Sequence, residues 1–442
     1  MGTPKPGGGE AMGAVRGDGP TTAAATPDAA TPDAATPDAM RVVSTDGAGG
    51  LVLSRLFRPV LSPRGGLVRV LACGLCGSDL EKLAAGDSAR GGAGGAAVAG
   101  TVLGHEVVGM LERIGEPPVR VALAHHVPCG ECPLCRAGHS SLCDQFVTTT
   151  LDPGGFAETL AVSALHLQDA VFELPPSVDD LAGTLLEPLS CVLRGLDAAA
   201  GAFAAFPRPG VRGGGVAATV VEAAPPPAGR LPRPGAPGEP PNVLVAGCGS
   251  VGLLFLTVLA RSAAAAPGGA GDTGERSARA ERDRAEVTDA GAAVPTVFDG
   301  ARLSYLEPDA ARAALAEGLG ARPLPAEGGE GGAPIDVAVV TAPAALPAVI
   351  AAMARGGVVV VFAAGAETTA ATLDLDAVYR KELTLAGVRS GSPVHLRRAL
   401  ALLAEGRLSL EWFQPEVVGL EELPEAVRRY RRGGTLKVVV RP

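Results

Sequence analysis

The chain has 442 residues, which is enough for two or three domains of ordinary size. Hydrophobic residues make up 47% of it but aromatic residues only 3%, so the core must be built mainly from leucine, valine and alanine. The net charge of -9 and the lack of a basic cluster argue against nucleic acid or an anionic membrane surface as the main partner. We therefore expect small-molecule partners.

The location of the protein is predicted from what the sequence lacks. No apolar run approaches the roughly 20 residues that cross a bilayer, and the N-terminus has no signal-peptide pattern. The chain has eight cysteines, and their spacing indicates metal binding rather than a disulfide framework. These observations predict a cytoplasmic location.

The N-terminal residues 1–39 consist mainly of glycine, alanine, proline and threonine, with the repeat Thr-Pro-Asp-Ala-Ala beginning at Thr26. A proline every five residues excludes a helix, and there is nothing apolar to bury, so we predict a disordered tail. A predicted strand starts directly after Met40. A translation start at Met40 is therefore a hypothesis, which the intact mass of the native protein would test.

The following region is predicted to be β-rich, as in a small, partly open barrel. One strand ends just before Cys76 and places it on a turn, and another surrounds the segment Gly104-His105-Glu106. A Gly/Ala-rich surface loop is expected at 89–100. The predicted strands are 41–44, 67–72, 101–111, 156–162 and 171–174.

Four cysteines then follow at the spacing C-x2-C-x2-C-x7-C, namely Cys129, Cys132, Cys135 and Cys143. Four thiolates this close in sequence can surround one zinc ion tetrahedrally. Because the protein supplies all four ligands, such a site is closed, and its role is to fold a loop that has no core of its own. Reduced thiols or two disulfides are the alternative, and three cysteines at two-residue gaps are awkward to pair covalently.

A helix is predicted over 178–200, and it carries the sequence Glu187-Pro-Leu-Ser-Cys. The next segment, 201–241, is rich in proline and glycine. We interpret it as an insertion between two domains.

The second domain begins with a predicted buried strand, 242–246, followed by Gly247-Cys-Gly249-Ser-Val251-Gly252 and a helix over 253–261. In this context G-x-G-x-x-G indicates dinucleotide binding. Gly247 permits the tight turn, Gly249 the close approach of the pyrophosphate, and Gly252 the packing of helix on strand. The phosphates would lie at the helix N-terminus, where free N–H groups and the helix dipole favour negative charge.

Strands alternate with helices in the rest of this domain, which predicts a parallel sheet with right-handed crossovers. The fold class is therefore α/β, with a β-rich domain and a doubly wound domain. A last strand, 436–441, returns to one of the two domains, and the sequence does not decide which. The predicted elements are strands 335–341, 357–363 and 383–388 and helices 344–354 and 393–405.

A second strand that ends in an acidic residue is expected roughly 20 positions beyond the last glycine of the turn. Asp272 lies at that distance, but residues 263–271 contain no strand formers. Either the strand is degraded in composition or an insertion has displaced the acid. If Asp272 reaches the ribose hydroxyls, NAD is preferred; Arg276 and Arg279 nearby keep NADP as the alternative.

The segments Gly-Leu-Cys76-Gly-Ser-Asp and Gly-His105-Glu, the four-cysteine lobe and the glycine-rich turn occur here in one order. This chain thereby resembles the zinc-containing medium-chain alcohol and polyol dehydrogenases, in the branch of the sorbitol and threonine dehydrogenases. The resemblance runs from about residue 40 to the C-terminus. It implies a GroES-like catalytic domain at 40–200, completed by about 386–442, a Rossmann cofactor domain at 242–385, and a homodimer or homotetramer.

The resemblance also implies a second, catalytic zinc ion bound by Cys76, His105 and Glu106. A thiolate, an imidazole and a carboxylate leave one coordination position open for an alcohol oxygen. Zinc there would act as a Lewis acid that lowers the pKa of the alcohol. The implied reaction is hydride transfer from a secondary alcohol, such as a polyol, cyclitol or sugar, to a nicotinamide cofactor.

Further roles carry over from the family by position. Ser78 would accept the proton of the substrate hydroxyl, and Asp79 would hydrogen-bond the far nitrogen of His105. Glu187 would lie near the metal or the substrate. Arg389 lies either near the nicotinamide or at the surface.

Two alternatives stay open at this stage. Threonine-type amino alcohols are one alternative class of substrate. An inactive, zinc-stabilised scaffold is the alternative to an enzyme, because the second Rossmann strand looks weak. No ligand role is assigned to the remaining cysteines and histidines, which are interpreted as buried or surface residues: Cys73, Cys191, Cys248, His125, His126, His139, His166 and His395.

Overall fold

The computed structural model describes residues 38–84, 99–205, 240–264, 294–325, 333–362, 372–433 and 435–442. The predictions of disorder for the N-terminal tail up to residue 37 and of an insertion over 206–239 lie outside the described residues, as does Asp272. No helix in the described ranges is long and apolar enough to cross a membrane.

The described elements form two halves, one built mainly of antiparallel strands and one built of parallel strands and helices. The strands are β1 Ala39–Thr45, β2 Leu51–Phe57, β3 Gly66–Gly74, β4 Glu106–Glu112, β5 Val119–Leu123, β6 Thr159–Val162, β7 Val171–Glu173, β8 Asn242–Ala246, β9 Arg302–Leu306, β10 Arg322–Pro323, β11 Ile335–Val340, β12 Met353–Val361, β13 Thr384–Gly387, β14 Glu416–Val418 and β15 Val438–Val440. The helices are α1 Gly77–Ala84, α2 Pro133–Arg136, α3 Asp144–Thr148, α4 Ala164–Asp169, α5 Asp180–Gly183, α6 Leu186–Ala205, α7 Ser250–Ala264, α8 Ala310–Gly318, α9 Leu346–Ala352, α10 Leu375–Arg380, α11 Pro393–Glu405 and α12 Leu423–Arg431.

The first half contains a seven-stranded sheet in the order β14-β15-β3-β4-β5-β7, with β6 paired to β3, and the hairpin of β1 and β2. Strands β3 and β4 are antiparallel, and their register places Gly74 opposite Glu106. The end of β3 therefore lies beside the start of β4. This pairing brings the turn that carries Cys76 next to His105 and Glu106.

Gly74 is required at that point of the sheet. A Cβ atom there would lie 1.9 Å from Oε2 of Glu106, so any other side chain would displace the carboxylate. The glycine thus leaves room for the Glu106 side chain to lie across the strand that precedes Cys76.

The C-terminal strand belongs to the first half of the molecule. Strand β15 pairs antiparallel with β3, with Val440 opposite Cys73 and Val439 opposite Gly74. The choice that the sequence left open is thereby decided, and the last residues of the chain lie next to the Cys76 turn.

The second half contains a six-stranded parallel sheet in the order β10-β9-β8-β11-β12-β13. Numbered from β8, this is the order 3-2-1-4-5-6 of a doubly wound dinucleotide-binding fold. All residues of β8 and β11 are buried, as expected for central strands with helices on both faces. The predicted fold class, a β-rich domain with a doubly wound Rossmann domain, is confirmed.

The second Rossmann strand is present, but later in the chain than the family spacing predicts. Strand β9 pairs in parallel with β8, from Asn242 opposite Arg302 to Ala246 opposite Leu306. Its inward side chains, Leu303 and Tyr305, are buried. Of the two alternatives for this strand, displacement by an insertion agrees with the structure and degradation does not.

Several predicted bounds differ from the structure. Helix α9 ends at Ala352, and Met353 and Ala354 belong to strand β12 rather than to the predicted helix. Helix α6 continues to Ala205, beyond the predicted end at residue 200. Alanine-rich sequence favours helix at both places, and only the pairing of β12 with β11 decides the first of them.

Helix α6 packs between the two halves. Its buried side chains, among them Leu189 and Leu193, share one hydrophobic cluster with Val108 of β4 and Val243 of β8. The first turn of α6, which carries Glu187, is therefore held where the two sheets meet.

The close packing of the glycine-rich turn predicts an asymmetric effect of two substitutions. A Cβ at Gly252 would lie 1.9 Å from the carbonyl oxygen of Gly247, whereas one at Gly249 would meet nothing within 4 Å. We expect Gly252→Ala to lower the free energy of unfolding by about 1–3 kcal/mol, because overpacking forces a backbone shift. Gly249→Ala is the matched control and should unfold like the wild type in thermal denaturation. Equal stability of the two variants would contradict the observed packing.

Candidate metal centre and cofactor turn

Cys76, His105 and Glu106 form a cluster whose ligand atoms all lie within 4.8 Å of one another. Cys76 lies between β3 and α1, and the other two residues lie at the start of β4. His105 and Glu106 are buried, with exposed fractions of 5% and 1%. One sulfur, one nitrogen and one carboxylate donor at this separation fit a zinc ion with one position left open.

Asp79 holds the two ligand segments together. It is fully buried, and its carboxylate accepts hydrogen bonds from the backbone N–H groups of Cys76 and Gly104, at 3.0 and 3.4 Å. Its Oδ1 also lies 3.3 Å from Nδ1 of His105. The carboxylate favours hydrogen on Nδ1, which leaves Nε2 free to bind a metal.

The charges around His105 are strong enough to overcome its burial. Burial alone would lower the pKa of His105, but the negative charges of Asp79 and Cys76 raise it well above the usual value. The pKa of Asp79 is lowered, because the attraction of His105 outweighs the cost of burial. The site is thus built to hold a cation beside His105, and a bound metal would replace the proton.

Lys437 supplies a buried positive charge to this centre. Its Nζ lies 2.5 Å from Oε2 of Glu106, and the exposed fractions of the two side chains are 4% and 1%. Burial would lower the pKa of Lys437, but Glu106 and Cys76 together raise it. The ammonium group therefore stays charged and balances part of the negative charge of the ligand set.

Glu187 and Ser78 lie at the edges of the centre. Glu187 is in the first turn of α6, 9% exposed, and its Oε1 lies 3.4 Å from the Cys191 sulfur. Burial raises the pKa of Glu187, and the negative charge of Glu106 adds to this effect. Ser78 is half-buried in the first turn of α1, two residues after Cys76.

The four cysteines of the lobe also form one cluster, with all sulfur atoms within 4.8 Å of one another. The sulfur of Cys129 lies 3.6 Å from that of Cys143 and 3.9 Å from that of Cys135. Zn–S bonds of about 2.3 Å in a tetrahedron give S···S separations of about 3.8 Å. All eight cysteines of the chain are free thiols, so the alternative of two disulfides is wrong.

The protonation of these thiols also indicates a cation site. Burial would raise the pKa of Cys143, but the N–H groups of Cys129 and Phe146 lower it to about 6. Burial and the neighbouring Cys132 raise the pKa of Cys135 to about 12. Four thiolates this close would repel one another unless a metal ion neutralised them.

The glycine-rich turn has the shape that dinucleotide binding requires. Gly247 has φ +96°, in the left-handed region that favours glycine. Helix α7 begins at Ser250, and Val251 is half-buried in its first turn. The space around Gly249 is open, so a phosphate group can approach its backbone and the N-terminus of α7.

Glu307 is an acidic residue that the sequence analysis missed. It directly follows β9, and its Oε2 accepts a hydrogen bond of 2.7 Å from the backbone N–H of Cys248 in the turn. Its Oε1 accepts a second one, of 3.0 Å, from Asp309. It occupies the end of the second strand, where the family spacing had placed Asp272. The alternating sequence Arg302 to Leu306 is itself a strand signal, and it lies beyond the usual spacing.

Neither Lys437 nor the pair His125 and His126 was predicted from the sequence as part of the site. The role suggested for Arg389 gains no support from the structure. Lys437 directly precedes the apolar strand β15, and a charged residue at that place is a signal that the sequence offers. The rings of His125 and His126 extend a stack from His105: the centroids are 4.4 Å apart for His105 and His125 and 3.7 Å for His125 and His126. Arg389 is exposed, and its backbone carbonyl accepts a hydrogen bond from Arg194 at 2.8 Å.

Comparison with known proteins matches part of this chain. Residues 62–175 match the alcohol dehydrogenase GroES-like domain. D-altritol 5-dehydrogenase of Agrobacterium fabrum is 35% identical over 158 residues, which is 34% of this chain and 44% of that protein. This part of the chain is therefore similar to the GroES-like domain of the alcohol and polyol dehydrogenases.

Other similar proteins agree with this assignment. Sorbitol dehydrogenase of Arabidopsis thaliana is 32% identical over 150 residues, 33% of this chain and 40% of that protein. The sequence match thus spans less than half of either of these two relatives. An alcohol dehydrogenase from Escherichia coli, solved with NADH, has a similar fold: the TM-score is 0.63 at 17% identity, with 92% of this chain and all of that one covered.

The buried pair of Lys437 and Glu106 predicts a specific cost of neutralising the lysine. Lys437→Met would leave a buried carboxylate without its cation, and we expect the free energy of unfolding to fall by about 3–5 kcal/mol. The measurement is urea-induced unfolding followed by circular dichroism at a fixed zinc concentration.

Lys381→Met is the matched control for this prediction. The ammonium group of Lys381 is also buried, but it bonds two backbone carbonyls, of Ile350 and Ala351. Loss of these bonds should cost about 1–3 kcal/mol. A Lys437→Met variant that is no less stable than Lys381→Met would show that the ion pair does not matter.

Proposed function

We propose that the protein is a zinc-dependent oxidoreductase that oxidises a secondary alcohol with a nicotinamide cofactor. The observation that carries the proposal is the open three-ligand cluster of Cys76, His105 and Glu106, next to the first turn of a helix that packs against both sheets. The glycine-rich turn lies at the carboxyl end of β8, the strand at which the sheet order reverses and where such folds bind their ligands. A substrate in the cleft between the halves would thus lie close to both the three-ligand cluster and the glycine-rich turn.

The chain's own residues would divide the work as follows. When bound, zinc would act as a Lewis acid on the alcohol oxygen, and the nicotinamide would take up the hydride, so that the alcohol becomes a ketone. Ser78 would accept the hydroxyl proton and pass it on, Asp79 would fix the orientation of His105, and Glu187 would lie near the metal or the substrate. These roles follow the family by position, and the contacts of Asp79 with Cys76, Gly104 and His105 support the role given to Asp79.

We favour NAD over NADP, with Glu307 rather than Asp272 at the ribose. A carboxylate at the end of the second strand would accept hydrogen bonds from ribose hydroxyls and repel a 2′-phosphate. Glu307 is held in this place by the N–H groups of Cys248 and Asp309.

A polyol, cyclitol or sugar is the substrate class that the site fits best. The relatives named above act on D-altritol and sorbitol. Among the described residues that line the cleft beside Glu187, none carries a formal positive charge that would bind the carboxylate of a threonine-type amino alcohol. Neutral hydroxylated molecules suit this lining better.

The inactive scaffold is the weaker candidate. The scaffold was an alternative because the second Rossmann strand looked degraded in the sequence. Strand β9 provides that strand, and an acidic residue follows it. A scaffold has no need for the paired arrangement of Asp79 with His105 and of Lys437 with Glu106.

The division into a catalytic domain, 40–200 with about 386–442, and a cofactor domain, 242–385, is part of the proposal. The pairing of β15 with β3 supports it. We also propose a cytoplasmic location, since eight free thiols suit a reducing compartment. A homodimer or homotetramer is proposed from the resemblance and from the exposed Leu375 and Tyr379 on the cofactor half; sedimentation equilibrium of the full chain would test it.

Two cysteine substitutions separate the two metal sites. We expect native mass spectrometry to show two zinc ions per wild-type chain, and Cys76→Ser and Cys132→Ser to lose one each. Cys76→Ser should keep its melting temperature within a few degrees and lose alcohol oxidation by about 1000-fold or more, because the activating metal is lost. Cys132→Ser should melt earlier, because the lobe depends on its metal to fold. Full activity of Cys76→Ser in the absence of the second zinc ion would rule out the proposed reaction.

Cofactor preference is tested at Glu307. Calorimetric titration of the wild type should show tighter binding of NADH than of NADPH. Glu307→Gln should weaken NADH binding about 10-fold, because charge-assisted hydrogen bonds are lost. The difference between the affinities for NADH and NADPH should therefore become smaller. Glu317→Gln is the control, since Glu317 contacts Tyr305 of the same strand without reaching the turn. Tighter NADPH binding by the wild type would reverse the assignment.

A further inference from the structure

A small cleft, partly open to solvent, lies beside the metal centre. One wall is formed by His125 and His126, directly after β5, and the opposite wall by Ser390 and Ser392. Glu187 lines the same cleft, and His125 in its wall contacts the candidate ligand His105. A substrate bound at the metal centre would therefore have this cleft beside it.

The serine wall is held rigidly against α6. Ser390 has φ +59°, an unusual backbone conformation for a residue with a side chain. Arg194 of α6 donates hydrogen bonds to the backbone carbonyls of Arg389 and Ser390. A Cβ at Gly391 would lie 2.0 Å from the hydroxyl oxygen of Ser190, so the loop approaches the helix as closely as glycine allows. The width of the cleft is therefore fixed.

The orientation of His126 follows from one hydrogen bond. Its Nδ1 lies 2.6 Å from the backbone carbonyl oxygen of Thr149, which can only accept, so Nδ1 carries the hydrogen. Burial lowers the pKa of His126 to about 4, and the ring is neutral at pH 7. The ring is held between Phe146, at 4.6 Å, and His125, at 3.7 Å between centroids. His126 is thus a fixed support for His125.

His125 has the free hydrogen-bonding capacity in this wall. Its ring contacts the candidate ligand His105 at 4.4 Å between centroids. Its Nδ1 is buried and forms no hydrogen bond in the described part of the chain. A buried polar atom without a partner costs about 1–3 kcal/mol, so its presence beside a cleft points to a ligand group that satisfies it.

We propose that His125 hydrogen-bonds a substrate hydroxyl on the carbon next to the reacting carbon, and that His126 positions it. The site then selects vicinal diols and polyols over secondary alcohols with a single hydroxyl. This inference rests on the proposed function, because His125 contacts the candidate ligand His105 and so lies beside a group that would bind at the metal. A pocket without a polar group at this position would discriminate poorly between vicinal diols and alcohols with a single hydroxyl. With His125 there, an alcohol that lacks the second hydroxyl leaves the imidazole without a hydrogen-bond partner, so such an alcohol is strongly disfavoured.

The test compares 2,3-butanediol with 2-butanol, which has the same carbon skeleton and lacks the second hydroxyl. In the zinc-loaded full chain with NAD, we expect His125→Phe to reduce the ratio of the two kcat/KM values about 10-fold to 100-fold. The kcat/KM for 2-butanol should change by less than about 3-fold, because phenylalanine preserves the ring stack. His125→Gln should restore part of the ratio, since the amide both donates and accepts hydrogen bonds.

His139→Phe is the matched control, an exposed histidine of the zinc lobe outside the cleft, and should leave the ratio unchanged. His126→Phe should lower the ratio less than His125→Phe does. An unchanged ratio in His125→Phe, or an equal fall of both kcat/KM values, would overturn the inference, the second result showing that His125 only supports His105.

A binding measurement separates this inference from the proposed reaction. Saturation-transfer NMR of the protein with NADH compares binding of the two alcohols without turnover. A wild type that oxidises neither alcohol but binds the diol more tightly, in a His125-dependent manner, would refute the proposed reaction and support the inference. Equal binding of the two alcohols by the wild type would overturn the inference, whether or not the protein is an active dehydrogenase.

Discussion

The buried carboxylate of Asp79 is the interaction on which the metal centre depends. It binds the backbone of the Cys76 turn, the backbone of Gly104 and the ring of His105, so two segments that are distant in sequence keep one fixed geometry. A full charge at 0% exposure is costly unless it is paired and hydrogen-bonded, and here these partners are the metal ligands themselves. Stability and ligand placement thus depend on the same contacts.

The remaining charges of the centre balance one another across the whole chain. Lys437 comes from the C-terminal strand and lies against Glu106, while Glu187 comes from the helix between the two halves. Cys76, Glu106 and Asp79 would together carry three negative charges, and a bound zinc ion with the ammonium group of Lys437 would balance them. The C-terminal segment therefore contributes to the charge balance of the centre as well as to the sheet.

Local spacing explains why most of the site could be predicted. The four cysteines of the lobe, the turn from Gly247 to Gly252 and the pair His105 and Glu106 each lie within a few residues of one another. Their geometry follows from short-range chain constraints. The prediction of the acid relied on a fixed distance along the chain, which leads to Asp272, outside the described residues, whereas the second strand lies further on and is followed by Glu307.

The sequence by itself indicated the two classes of half-domain, the four-cysteine cluster and the glycine-rich turn, and the family resemblance added the set Cys76, His105 and Glu106. Only the tertiary structure decided that β15 joins β3, that Lys437 meets Glu106, that Glu307 reaches the turn, and that His125 stands between the metal ligand and the cleft. Periodicity and spacing report which face of an element is buried and which residues are neighbours along the chain. They carry no information on which distant strands pair, and that pairing sets every one of these contacts.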